Sequence, residues 1–382
     1  MLLIVGTHTD RLADIHKVAS ASSLALRVAD NHVAMKDALS GSRRRIVVLQ
    51  QEDLTARMRE TLAEFDGDPN VAVLLVAAEA SAEEPLDGLE AQWLSPGVSG
   101  AELAERIRSS RAAMFRVTEA ALRTAFERRE FVVQYQPKVE WHEAERAWRT
   151  ADVEALVRWQ HPQHGLLPPR HFLPDIENYG LMTDLAEYVL ERTCEQLVAW
   201  HEQSLLLNGS VNLSPSCLDD DDLVERMSAV LARFDLPSGR IMFELPSAGI
   251  LAERQRRGGA VQALRAAGFR VSLDDFGIAA SCMEAFEVIE FDELKLHASV
   301  LRDGRDDDGL RQSLAALAGL AANLGIAVCA EGVETEETFR FLTEIRCNRM
   351  QGYLVSAAVM PEIIQSCYAQ GHEPGVALAH MM

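Results

Sequence analysis

One device recurs along this chain at a steady interval. Beyond Phe131 an apolar, β-prone run stops seven times at a polar residue: "DVEALVRW" at Glu154, "SVNLS" at Asn212, "IMFEL" at Glu244, "RVSLDD" at Asp274 and Asp275, "ELKL" at Lys295, "AVCAEGVE" at Glu331 and "MQGYLV" at Gln351. The six intervals span 197 residues from Glu154 to Gln351, about 33 each, which is the length of one strand, loop and helix unit. Helical patterns fill most of the gaps. Such units, repeated over roughly 240 residues, predict a (β/α)8 TIM-like barrel whose functional groups gather at the carboxyl ends of the strands.

In a barrel those ends meet at one mouth. Glu154, Glu244, Asp274, Asp275 and Glu331 would repel one another there unless cations sat between them. An oxygen-rich, sulfur-free set with Asn212 as its neutral member suits Mg2+ or Mn2+ and not zinc. Adjacent Asp274 and Asp275 can each serve one of two ions about 3.5–4 Å apart, an arrangement that clamps a phosphate and activates a water for in-line attack. Lys295 then lies beside that water or the departing oxygen.

Residues 1–110 have a different texture. Short runs ("LLIV", "RIVVLQ", "VAVLLVA") alternate with helical patterns, predicting a doubly wound, flavodoxin-like α/β unit. Its size and order resemble a response-regulator receiver, but without the chemistry. Gly6, Thr7 and His8 stand where the acidic cluster belongs, Gln50 or Gln51 at the phosphoacceptor, Ala77 or Ala78 at the hydroxyl residue, and Ser95 and Pro96 near the lysine. The resemblance therefore implies a degenerate receiver-like unit for dimerisation or for contact with a protein partner. From Gly100 to Arg129 the chain has no proline and carries Leu103, Ile107, Met114, Val117 and Leu122 at helical spacing, predicting a connecting helix. The expected division is 1–110 receiver-like, 111–130 connector, 131–370 barrel and 371–382 tail.

Composition closes off other classes. A formal net charge of −21 argues against gripping a nucleic-acid polymer, which needs Lys and Arg on phosphates. The six cysteines begin at Cys194 with no paired spacing, in keeping with a reducing cytoplasm. Neither a signal peptide nor a membrane span is expected, and Ser313 to Ala330 reads as a helix followed by a strand. The acidic run Asp219 to Asp222 is expected to open a helix, and "RQRRGG" (254–259) to be a solvated loop.

The motifs "FVVQYQPKVE", "VEALVRWQHPQHGLLPP", "VNLSP", "LDDFG", "AEGVET" and "MQGYL" resemble, in order and spacing, the EAL domain. This is the bacterial phosphodiesterase family that opens cyclic di-GMP to linear pGpG. The resemblance implies metal-ligand roles for Glu154, Asn212, Glu244, Asp274, Asp275 and Glu331. It implies a role for Lys295 in positioning or deprotonating the water, a substrate phosphate on Arg158, and a nucleotide site lined by Gln136, Leu156 and Gln351. A homodimer is expected with it.

Departures from the family pattern cluster in one place. The run DDFGTGYSS becomes "DDFGIAASC", altering Ile278 to Cys282; an anchoring acid becomes Ser247; and the Asp of K-x-D becomes His297. Losing glycine there removes backbone freedom that Ala279 and Ala280 lack. Two functions follow: a slow or partner-activated, metal-dependent cyclic di-GMP phosphodiesterase, or a catalytically silent cyclic di-GMP receptor using the same pocket.

Overall fold

The computed structural model describes residues 2–5, 26–29, 32–39, 45–50, 55–64, 71–76, 91–94, 98, 102–103, 105–107, 117–144, 146–251, 253–276, 289–297 and 308–369. The altered loop 278–282 lies outside the described residues. The chain divides into two compact units, one of residues 1–128 with 161–179, the other of residues 129–160 with 180–382.

In the first unit β1 (Leu2–Val5), β2 (Leu26–Ala29), β3 (Arg45–Gln50), β4 (Val71–Val76) and β5 (Ala91–Leu94) form one parallel sheet in the order β2-β1-β3-β4-β5. This is the strand order of the flavodoxin-like doubly wound fold. Val47 and Leu49 of β3 pack with Met35 of the helix His32–Leu39 and with Met58 and Leu62 of the helix Ala56–Ala63. The expected continuous connector is interrupted. Thr118 is extended and caps a helix that starts at Glu119 and ends at Glu127, its hydroxyl accepting from Ala121 N. Val117 N donates to Asp175 Oδ2 at 2.8 Å, and a backbone tied sideways to a carboxylate cannot continue a helical ladder.

In the second unit β6 (Phe131–His142) and β7 (Ala147–His161) form a hairpin; beyond the short β8 (Gly165–Leu167), which falls in the first unit, come β9 (Asn208–Asn212), β10 (Ile241–Pro246), β11 (Arg270–Phe276), β12 (Glu293–Leu296), β13 (Ala327–Ala330) and β14 (Arg349–Met350). The order β6-β14-β13-β12-β11-β10-β9-β7, with β7 pairing back to β6, closes an eight-stranded barrel. One strand departs from the all-parallel expectation: β6 runs antiparallel to both neighbours. Only a short connection separates His142 from Ala147, and a parallel pair would need a crossover of a dozen residues or more.

Strand alternation sorts the barrel into two faces. Outward residues such as Phe243, Leu245, Val271, Leu273, Leu294 and Leu296 are buried and hydrophobic. Helix Met182–Glu202 supplies Leu190, Cys194, Leu197 and Trp200 at spacings of three or four to the covering layer, with Trp200 edge-on to Tyr135 at 5.0 Å. The inward face carries the buried charged side chains Lys138, Asp152, Glu154, Glu244, Glu293 and Lys295.

The run "RQRRGG" proves helical, within Arg254–Ala266, not a loop. Arg257 donates to Asp219 and Gly249 O, and these bonds tie the first turn down despite two glycines. The acidic run does precede a helix, Leu223–Arg233, with Asp222 at its cap position. Residues 313–330 lie in a helix, Asp308–Leu324, and a strand, as read. Among the described residues no helix is long and apolar enough to cross a membrane.

Candidate active site

Inward residues of five strands and the loop after β13 meet around one ammonium. Lys295, on β12, is 0 % exposed. Its Nζ lies 2.5 Å from Glu244 Oε2 (β10), 2.5 Å from Glu331 Oε1 (after β13), 3.3 Å from Glu154 Oε2 (β7) and 3.6 Å from Asp274 Oδ1 (β11). Asn212 ends β9 and donates from Nδ2 to Glu154 Oε1 at 2.7 Å. Asp275 follows on β11, and its side chain is outside the described set.

The residues expected to line a nucleotide site lie above this cluster. Gln136, Leu156, Arg158 and Gln351 line a cavity of about 380 Å³ together with Glu154 and Glu331. Gln136 sits directly across the hairpin from Glu154. Gln351 Nε2 donates to Gln136 Oε1 (2.9 Å) and Glu154 Oε2 (2.8 Å), while Gln136 Nε2 donates to Ser356 O. Gln351 Oε1 is buried without a hydrogen-bond partner, an acceptor left for a donor from outside the chain.

Four lining residues were not among the expected site residues: Gly332, Glu334, Gly352 and Tyr353. Tyr353 is 75 % exposed, a ring held at the rim. Its signal was available, since it follows Gln351 in the same quoted motif. His297 also lines the cavity, two residues beyond Lys295 and so on the same inward face.

Electrostatics decide which groups carry charge. Burial disfavours a charged Lys295, but Glu154, Glu244, Glu331 and Asp274 outweigh it and hold the ammonium well above the ordinary lysine range. Burial would likewise raise Glu244, yet Lys138 and Lys295 pull it down to about 2. Glu331 moves the other way: burial and the carboxylates of Glu154 and Glu244 push it up to about 6 against the pull of Lys295.

Deeper in the barrel, Lys138, Arg270 and Arg349 pair with Asp152, Glu244 and Glu293, with Glu140 at the solvent edge. At the mouth, by comparison, Glu154, Asp274 and Glu331 all gather on the single ammonium of Lys295. Among the described residues no three His, Cys, Asp or Glu side chains are already spaced to hold a metal ion, since they are gathered on Lys295. The surplus of carboxylate charge and the all-oxygen donor set nonetheless fit a hard divalent cation.

The EAL domain family profile matches residues 119–358. The chain belongs to the EAL domain family. The EAL region is 32 % identical to the cyclic di-GMP phosphodiesterase RocR of Pseudomonas aeruginosa over 61 % of this chain and 58 % of that protein. An uncharacterized signaling protein of Caulobacter vibrioides is 34 % identical over 61 % of this chain and 28 % of its own length. The chain thus spans less than two thirds of these relatives. Among solved structures, the PaMucR phosphodiesterase in complex with c-di-GMP superposes with a TM-score of 0.57 at 32 % identity, covering 64 % of this chain and 97 % of that one.

Proposed function

We propose that the protein is a cyclic di-GMP phosphodiesterase that hydrolyses its substrate to linear pGpG with the help of two Mg2+ or Mn2+ ions. One observation carries this reading: four carboxylates from four different strand ends converge beneath a cavity lined by Gln136, Leu156, Arg158 and Gln351. Relatives named as cyclic di-GMP phosphodiesterases support it.

Glu154, Asn212, Glu244, Asp274, Asp275 and Glu331 would hold the ions. Bound divalent ions supply Lewis-acid polarisation of a phosphate and acidify a water towards neutrality. The guanidinium of Arg158 binds a ligand phosphate from the cavity wall. Gln351 offers its unpartnered Oε1 to a base N–H, Leu156 gives an apolar wall, and Tyr353 presents a ring to stack on a base. Lys295 touches Glu154, Glu244 and Glu331 and is placed to orient them and to position or deprotonate the attacking water.

The receiver-like first unit is read as the regulatory or partner-binding element, supported by its strand order. A second reading, a catalytically silent cyclic di-GMP receptor, is favoured by His297. An imidazole lines the cavity where the family pattern has a carboxylate, removing one oxygen donor. The test is chromatography of the products of purified protein, cyclic di-GMP and Mg2+ or Mn2+, with Asp274→Ala as control. Formation of pGpG by the parent alone supports the enzyme. Intact substrate with nucleotide bound supports the receptor.

A further inference from the structure

Below the cavity lies a buried ion network of which the proposed reaction uses only the top. Lys138, on β6, is 1 % exposed and faces inward opposite Asp152 of β7. Its Nζ donates to Glu244 Oε1 at 2.5 Å and to Ser210 Oγ at 3.0 Å, and meets Glu293 Oε1 at 3.4 Å. Glu293 in turn accepts from Ser272 Oγ (3.1 Å) and from Arg349 Nη1 (2.8 Å), and Arg349 pairs with Asp152 at 3.0 Å.

The two lysines that share Glu244 differ in kind. An ammonium has three donors. Lys138 has three partners for them, so its direction is fixed. Lys295 has four carboxylates for the same number, so its bonds are divided and one partner is always underserved. They also hold different oxygens of Glu244, Lys138 taking Oε1 and Lys295 taking Oε2.

We infer that Lys138 is a positioning residue for the metal site. It pins Glu244 by Oε1 from below, whichever partner Lys295 holds, so that Oε2 is the oxygen the carboxylate offers upward. Partners behind a ligating carboxylate typically govern metal affinity by about 10–100-fold. This inference rests on the reading of Glu244 as a metal ligand.

The test is Mn2+ binding to the full chain without nucleotide, followed by the loss of the free-ion electron paramagnetic resonance signal, with folding checked by circular dichroism. Lys138→Met is expected to weaken Mn2+ binding about 10–100-fold. Because it removes one of the two cations that face Glu293, the double variant Lys138→Met with Glu293→Gln takes away one charge of each sign and provides a second folded form. The same weakening is expected there. A control pair, Arg349→Met with Glu293→Gln, cuts the network beneath Lys138 and should leave Mn2+ affinity within about twofold of the parent. A folded Lys138 variant that binds Mn2+ like the parent overturns the inference, and so does a control pair that loses as much affinity. If the parent itself fails to bind Mn2+, the metal reading falls and takes this role of Lys138 with it.

Discussion

Replacing Gly352 by alanine should damage the cavity out of proportion to one methyl group. Gly352 follows Gln351 where the chain runs against the loop after β13. Val333 N donates to Gln351 O at 3.0 Å and Leu354 N donates to Val333 O at 2.9 Å, on either side of Gly352. A Cβ at residue 352 would lie 2.2 Å from Val333 N, 2.3 Å from Val333 O and 2.7 Å from Val333 C. Ordinary contact begins near 3.5 Å, so the two backbones must part by roughly 1 Å. Neither is a flexible side chain that can swing away.

Parting them breaks or stretches both hydrogen bonds, each worth about 1 kcal/mol, and strands buried groups at about 1–3 kcal/mol. The expected destabilisation of Gly352→Ala is therefore about 2–4 kcal/mol. At about 2–4 °C per kcal/mol for a unit of this size, the melting temperature should fall by roughly 5–15 °C. Gln351 and Glu331 would shift with the strand, so cyclic di-GMP affinity should drop by at least about tenfold, since a 1 Å misplacement is costly in a built site. Differential scanning calorimetry and isothermal titration calorimetry measure the two effects. An alanine variant that melts within about 1 °C of the parent and binds ligand unchanged would refute the close-approach argument.

Lys295→Met should destabilise the ligand-free protein by about 3–5 kcal/mol, because it leaves a buried carboxylate cluster uncompensated. Saturating Mn2+ should then raise its melting temperature more than it raises the parent's, as thermal melts with and without the ion will show. Asp152 is held down to about 2, burial being outweighed by Arg270, Arg349 and Lys138. A depressed carboxylate stabilises the fold above its unfolded value near 4 and loses that contribution as pH falls through about 2, on the order of 2 kcal/mol. Asp152→Asn should thus be less stable at neutral pH and show a flatter stability profile between pH 4 and 2 in urea melts. Tyr353→Ala, at the exposed rim, should leave the melting temperature within about 1 °C yet weaken cyclic di-GMP binding about tenfold or more through lost stacking.

The strand ends were legible because alternation and spacing are properties of the sequence itself. Glu154, Glu244, Asp274, Lys295 and Glu331 each close an apolar run, and closed strands must bring such residues together. The network beneath was not read, although a signal existed. Glu293 and Lys295 are two apart on one strand, so an inward lysine entails an inward glutamate. A charge inside a short apolar run looks the same whether it faces water or a buried partner, and only the partner, 155 residues away for Lys138 and Glu293, tells them apart. The break at Val117 and Thr118 had the same origin, since it depends on Asp175. "RQRRGG" misled because propensity favours a loop, whereas Asp219 holds it helical.

The hairpin of β6 and β7 places Gln136, Glu154, Leu156 and Arg158 within 23 residues of one another, whereas the other acids around Lys295 come from strands scattered across the following 200. One wall of the cavity is therefore encoded locally, by pairing within a single hairpin, whereas Gln351 joins it from 193 residues beyond Arg158. The acid cluster likewise demands that the whole ring close in register. Cavity and acids are both complete only when the last strand meets the first, so occupation of the site reports closure of the entire barrel.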